Sequence, residues 1–356
     1  MRAEVVGAER IVVKIGSSSL TDATGHLDPN RVAELARHIA RLRSHGTKVV
    51  LVSSGAIASA LLPLGLPRRP RDLETQQAAA AVGQGILVRH YADAFAAHDL
   101  MVAQVLLTAG DLQDGRSYRN ALNTISRLLR LGVIPVINEN DTVATSEIRF
   151  GDNDRLAALV SHLVRADALV ILSDVDGLYT AHPDEPGAEL IRHVADIAEL
   201  RADTSRVGSR VGTGGMSSKV EAARIATSGG VGVVLAHANQ VASALDGQEV
   251  GTFFEATGRR RPRRMLWLAH AAEVRGRLRI DEGAERALRR GQASLLAAGV
   301  VEIAGEFEAG DPVDIISISG DLLARGLADC AAEPLSRRVR DGGLAVHRDL
   351  LIEMVQ

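Results

Sequence analysis

The residues best equipped for chemistry form one run, Gly212-Thr213-Gly214-Gly215-Met216-Ser217-Ser218-Lys219. Val220 to Gly230 follows with apolar residues at helical spacing and a glycine stop, so the glycines, hydroxyls and ammonium sit where a helix begins. A helix start offers unpaired N–H groups and a positive dipole end, glycines let the backbone approach an anion, and a lysine adds a full charge. That chemistry suits a nucleotide phosphate. The run matches neither G-x-x-x-x-G-K-[ST] nor G-x-G-x-x-G, and an ordinary Gly-rich loop ahead of a helix is the competing reading. Lysine usage sharpens the case, because only Lys14, Lys48 and Lys219 are lysine among 41 Lys+Arg residues. Where arginine is the default cation, a lysine marks a place for a compact ammonium. Lys14 and Lys219 both sit at loop mouths.

A second group gathers around Gly151-Asp152-Asn153-Asp154 and Asn138-Glu139-Asn140-Asp141. A helix N-cap accounts for one of these aspartates but not for all the acidic and amide groups. Clustered at strand ends, they suit a ligand carrying both an ammonium and a carboxylate, which describes an amino acid. Phosphoryl transfer needs its spreading charge neutralised and its reacting oxygens aligned, and Lys14 and Lys219 would supply charge from two loops. No histidine lies in these loops. A hydroxyl acceptor profits from a base, whereas a carboxylate is already ionised near neutral pH, so the pattern favours an acyl-phosphate product. The eleven histidines show no metal-ligand spacing, and His38 and His162 read as surface or satisfied core residues on helices. Mg²⁺ is expected to bridge nucleotide phosphates with few direct protein ligands.

These residues need elements to position them. Arg10 to Ile15 reads as a buried strand entering the loop Gly16-Ser17-Ser18-Ser19. Pro29 to Gly46 reads as a helix capped by Asp28, and Lys48 to Val52 as a strand ending in Ser53-Ser54-Gly55-Ala56. A long helix is expected from about Arg71 to His98, then strand Met101 to Leu107, helix Tyr118 to Leu131 and strand Val133 to Ile137. Val143 to Phe150 alternates as an edge strand or hairpin would. Helix Arg155 to Arg165, strand Ala168 to Leu172 before Ser173-Asp174-Val175-Asp176-Gly177, and a last core strand Val231 to Leu235 complete the pattern. Strands alternating with helices make an α/β domain with a mainly parallel sheet sandwiched by helices, and ligands bind at the carboxyl ends of such strands.

From Gly251 the texture changes. Arg259 to Arg290 holds eleven arginines against four acids, and the β-rich pattern beyond it, broken by Gly-Asp turns, predicts a small all-β domain. The expected division is 1–257 for the catalytic domain, 258–274 for a basic linker and 275–356 for the second domain. A length of 356 residues suits two domains. The net charge of −3 predicts no bulk attraction to nucleic acid or membrane, and one cysteine, Cys330, fits a reducing cytoplasm. Met1 to Arg10 lacks the apolar core of a signal peptide. Val49 to Pro67 is uncharged and long enough to span a bilayer, but its serines, glycines and proline predict a strand, a loop and a helix.

Taken in order, Val13-Lys14-Ile15-Gly16-Ser17, Ser53-Ser54-Gly55-Ala56-Ile57, Pro135 to Asp141, Gly151 to Asp154 and Thr213 to Lys219 resemble the glutamate 5-kinase family of the amino acid kinase superfamily. Asp281-Glu282-Gly283-Ala284, Gly291 to Leu296 and Gly310 to Val313 resemble the PUA domain attached to many such kinases. The resemblance implies the amino acid kinase fold and ATP-dependent phosphorylation of the γ-carboxylate of L-glutamate, the first step of proline biosynthesis, with feedback inhibition by proline. It implies catalytic roles for Lys14, Lys219 and Asp154. Ser54, Asp141 and Asn153 would bind glutamate, with Asn138 and Asp152 nearby. Ser173, Asp174 and the run Thr213, Gly214, Gly215, Met216, Ser217, Ser218 and Lys219, together with Lys14, would contact ATP. It further implies a homo-oligomer, a tetramer or dimer. Sister kinases for aspartate, acetylated glutamate, carbamate and nucleoside monophosphates share the lysine and glycine features, and the two acidic-amide loops and the PUA-like tail set this chain apart. RNA binding by the basic stretch is the alternative from another class. With 3% aromatic residues there is little for base stacking, which favours a linker and a regulatory or scaffolding domain.

Overall fold

A computed structural model of the chain describes residues 2–143, 153–200, 215–257, 262–290, 293–338 and 343–354. The elements run α1 (Ala3–Val6), β1 (Arg10–Ile15), α2 (Ser17–Leu20), α3 (Pro29–Ser44), β2 (Lys48–Ser53), α4 (Ala56–Leu61), α5 (Leu73–Ala96) and β3 (Val102–Leu107). Next come α6 (Ala109–Gln113), α7 (Gly115–Arg130), β4 (Ile134–Glu139), α8 (Asn153–Val164), β5 (Ala168–Ser173), β6 (Leu178–Tyr179), β7 (Leu190–Ile191) and β8 (His193–Val194). The first unit closes with α9 (Met216–Ser228), β9 (Gly232–His237), α10 (Val241–Leu245) and β10 (Thr252–Phe254).

Eight strands form its sheet in the order β3-β4-β2-β1-β5-β9-β10-β8. The six strands from β3 to β9 are parallel, and β10 then pairs antiparallel with β9. The strand at Val231 to Leu235 is therefore not the last: Thr252–Phe254 extends the sheet past it. Parallel sheets are covered on both faces, which is why β1, β2, β4 and β5 are nearly continuous buried runs. Ile11, Val13, Leu51 and Val170 are fully buried, and truncating Ile11 or Leu51 to alanine would cost about 2–5 kcal/mol. β3, at the sheet edge, is only half-buried. Helix α3 is set by Asp28, whose carboxylate accepts from the N–H of Asn30, and by Pro29 in the first turn.

Register puts the chemistry on one edge. Ile15 pairs with Ser53, Leu107 with Glu139 and Ser173 with His237, all at carboxyl ends of parallel strands. The uncharged run from Val49 is β2, a turn and α4, and no helix among the described residues is long and apolar enough to cross a membrane. Most of the expected edge strand Val143 to Phe150 lies outside the described residues.

The second compact unit comprises Pro262–Gln356 together with the short segment Gln113–Gly115. It holds α11 (Arg263–His270), β11 (Gly276–Ile280), α12 (Glu282–Arg289), β12 (Leu295–Leu296), β13 (Val300–Gly305), β14 (Pro312–Ile316), β15 (Leu322–Ala328), α13 (Ala332–Arg338) and β16 (Leu344–Glu353). Its six-stranded sheet runs β12-β16-β15-β14-β11-β13 around Leu278, Ile280, Val313, Ile315 and Val346. Within the expected linker 258–274 lies α11, whose Leu268 packs with Leu327 and Ile352 of that sheet. Arg325 fastens it, with Nε 2.7 Å from Asp314 Oδ1 and Nη1 donating to Leu268 O at 3.3 Å.

Candidate active site

Asp154 is the fixed point. Its side chain is fully buried, with Oδ1 2.5 Å from Lys14 Nζ and Oδ2 3.1 Å from Lys219 Nζ. Lys14 arrives from the penultimate position of β1 and Lys219 from the first turn of α9, while Asp154 is the second residue of α8. Both lysines are buried, where an ammonium persists only if paired. One carboxylate thus gathers two cations to a single point. Ser218 Oγ lies 3.4 Å from Asp154 Oδ2 and donates to Gly215 O at 2.8 Å, fastening the entry to α9.

Two helix starts fall earlier in the chain than their sequence patterns indicate. α9 begins at Met216, so Lys219 is in its fourth position, and α8 begins at Asn153 rather than Arg155. At α8 the short polar residues Asn153 and Asp154 read as loop, but their side chains are committed to tertiary partners and do not compete with the helix backbone, whereas at α9 Ser218 turns back on Gly215 O within the first turn.

One residue before Asp154, Asn153 anchors a second cluster. Its Nδ2 lies 2.9 Å from Ser54 Oγ, 2.8 Å from Asn138 Oδ1 and 3.1 Å from Ser53 O. Asn138 Oδ1 also accepts from the N–H of Glu139 at 2.9 Å, which holds the amide in that orientation. Asn153 Oδ1 is buried with no hydrogen-bond partner among the described residues. A donor such as an ammonium would satisfy it. The Ser53-Ser54 turn owes its path to Gly55, whose φ of 107° caps α4 in the left-handed region that glycine adopts without strain. Asp141 follows β4 by two residues, in the turn at 141–143.

A cleft of about 360 Å³ opens at the carboxyl ends of β5 and β9 and the start of α9, lined among others by Asp174, Asp176, Tyr179, Met216 and His237. Its size suits a nucleotide-sized group. Ser173 Oγ donates to Asp174 Oδ1 at 3.0 Å, and Tyr179 donates to Asp176 Oδ2 at 2.9 Å, a bond that raises the phenol's pKa.

The structure therefore joins Lys14, Asp154, Ser218 and Lys219 in one cluster, Ser54, Asn138 and Asn153 in a second, and Asp174 and Met216 in the cleft. Asp152, Thr213 and Gly214 lie outside the described residues. Two buried side chains behind the site, Tyr91 and Gln84, escaped sequence reasoning, and His162, read as a surface or satisfied core residue, is in the core. Tyr91 of α5 lies 2.8 Å from Ser53 Oγ, Gln84 of α5 donates to Glu139 O at 3.5 Å, and His162 of α8 lies with Nε2 3.3 Å from Ala226 O of α9. Only Tyr91 carried a signal, as a lone phenol in an alanine-rich helix.

A parallel sheet whose carboxyl edge bears two lysines on one aspartate is equipped to neutralise the charge of a phosphoryl group in transfer. The sequence pattern of the "Amino acid kinase family" matches residues 9–237, and that of the "PUA domain" matches 276–350. Among curated proteins, the glutamate 5-kinase of Cutibacterium acnes is 56% identical over 327 residues, 92% of this chain and 84% of that protein. That of Streptomyces coelicolor is 53% identical over 351 residues, 98% of this chain and 94% of that one. Among solved structures, a carbamate kinase from Giardia lamblia bound to AMP-PNP shares the fold of the first unit, with a TM-score of 0.53 at 18% identity over 69% of this chain and 98% of that one. The chain belongs to the amino acid kinase family and, within it, to the glutamate 5-kinases.

Proposed function

We propose that the chain transfers the γ-phosphoryl group of ATP to the side-chain carboxylate of L-glutamate, giving L-glutamyl 5-phosphate and ADP, the first step of proline biosynthesis. The observation that carries this reading is the pair of buried lysines held on the two oxygens of Asp154. A carboxylate oxygen of glutamate attacks the γ-phosphorus as the bond to the bridging oxygen of ADP breaks, so charge spreads over the moving group and onto the leaving oxygen. Lys14 and Lys219 answer that charge from two sides, and Asp154 holds them in place before the reaction begins, so little reorganisation remains. No general base is required, since the acceptor is already ionised. Mg²⁺ bound with ATP would supply further neutralisation of phosphate charge, with few direct ligands from the chain.

Asn153, Ser54 and Asn138, with Asp141 in the turn after β4 and Asp152 next to Asn153 in sequence, bind glutamate in this reading. The unsatisfied Asn153 Oδ1 supports it, because an amino acid brings an ammonium. The nucleotide lies along Ser173, Asp174 and the start of α9, its base in the cleft at Met216. Feedback by proline, assembly as a dimer or tetramer and a cytoplasmic location rest on the family resemblance.

Replacing Lys219 with alanine tests the central role. Turnover with glutamate and ATP should fall by about 10²-fold or more, as for loss of a group acting on transition-state charge, with the fold retained by circular dichroism. Near-normal kcat would remove Lys219 from the mechanism.

A further inference from the structure

The least exposed part of the second cluster leads to a residue outside the reacting groups. Tyr91 is fully buried in α5, and its hydroxyl lies 2.8 Å from Ser53 Oγ. Ser53 is itself fully buried and donates its one hydroxyl proton to Ser54 O at 2.9 Å. That proton being spent, the phenol must be the donor in the Tyr91–Ser53 pair. Burial raises the phenol's pKa, which keeps the donor protonated.

The consequence falls on Ser54. Its N–H donates to Ile15 O at 3.1 Å and its C=O accepts from Ser53, so its backbone is held on both sides. Its half-buried Oγ is thereby directed at Asn153 Nδ2, 2.9 Å away, and Asn153 in turn reaches Ser53 O. We propose that Tyr91 is a positioning residue for the acceptor amino acid. It acts through Ser53 to fix the Ser54–Asn153 pair and has no direct part in phosphoryl transfer. The proposal rests on the reading that this pair binds glutamate.

The relay predicts a distinctive kinetic pattern. Tyr91→Phe removes one oxygen and keeps the ring in the core, so the fold should survive. Its KM for glutamate should rise about 3- to 10-fold, the range of one lost hydrogen bond, while KM for ATP stays within twofold. Ser53→Ala should raise the same constant, and the double variant should be no worse than Ser53→Ala alone, because both changes cut one chain. Thermal melts of each variant establish that the protein is folded at the assay temperature.

Asn153→Ala separates the two ways of failing. A raised glutamate KM in Asn153→Ala beside an unchanged one in Tyr91→Phe overturns the relay and leaves the binding site standing. Unchanged values in both overturn the site assignment and the relay with it. Additive effects in the double variant, or a rise in the ATP constant equal to that for glutamate, also contradict a positioning role for Tyr91.

Discussion

Asp154 has a partner on each carboxylate oxygen, and burial makes both ion pairs strong determinants of geometry. Its sequence neighbours explain why the lysines were easier to read than the aspartate. A lysine in an arginine-rich chain stands out, whereas an aspartate at a helix start is ordinary, and its place between two ammoniums was legible only through the family resemblance. His162 was legible only as a core residue. Burial lowers its pKa to about 4 from an ordinary 6.5, opposed by hydrogen bonding to α9 backbone. The folded state thus prefers the neutral ring, so this contribution to stability is complete above pH 6.5. It fades as the unfolded chain takes up a proton and is gone below pH 4, a loss of about 3 kcal/mol. Denaturant melts should show His162→Gln losing its disadvantage against the parent protein between pH 7 and 4.5. Parallel curves across that window would contradict a neutral buried His162.

Among the elements, α4 and α5 decide where the Ser53-Ser54 turn lies. A Cβ on Gly83 of α5 would stand 1.7 Å from the carbonyl oxygen of Ala56, the first residue of α4, so the two helices touch backbone to backbone. Gly83→Ala should force them apart, costing about 3 kcal/mol and raising the glutamate KM, both read from melts and steady-state kinetics. A variant with parental stability would show that α4 shifts freely. Strand order and this helix contact lie beyond any single sequence window. The β-α-β alternation of the first unit was readable because each buried strand is a compact apolar run bounded by glycine, proline or a cap, as at Asp28-Pro29 and Gly46. The antiparallel β10 was not. Thr252–Phe254 is three residues long, too short for a period, and its place follows from pairing with β9. The helix start at Asn153 was displaced for a related reason, since side-chain partners far along the chain let Asn153 and Asp154 join α8.

Across the whole molecule, each unit has its own core, and every described residue given a role in catalysis or binding belongs to the first. The motifs that carry the family resemblance lie within residues 13–219, inside the matched stretch 9–237. Sequence therefore yielded the chemistry of the site before its geometry, because charge type and glycine spacing are local while the meeting of Lys14, Asp154 and Lys219 is not. The central claim is that this site makes an acyl phosphate from glutamate, and hydroxylamine traps acyl phosphates as hydroxamates. The decisive measurement is ATP-dependent hydroxamate formation by the full chain with L-glutamate, beside aspartate and N-acetylglutamate, with and without proline. The account predicts signal with glutamate, little with the other two, and suppression by proline. Signal with another acceptor, or none with glutamate while ATP binds, would contradict it.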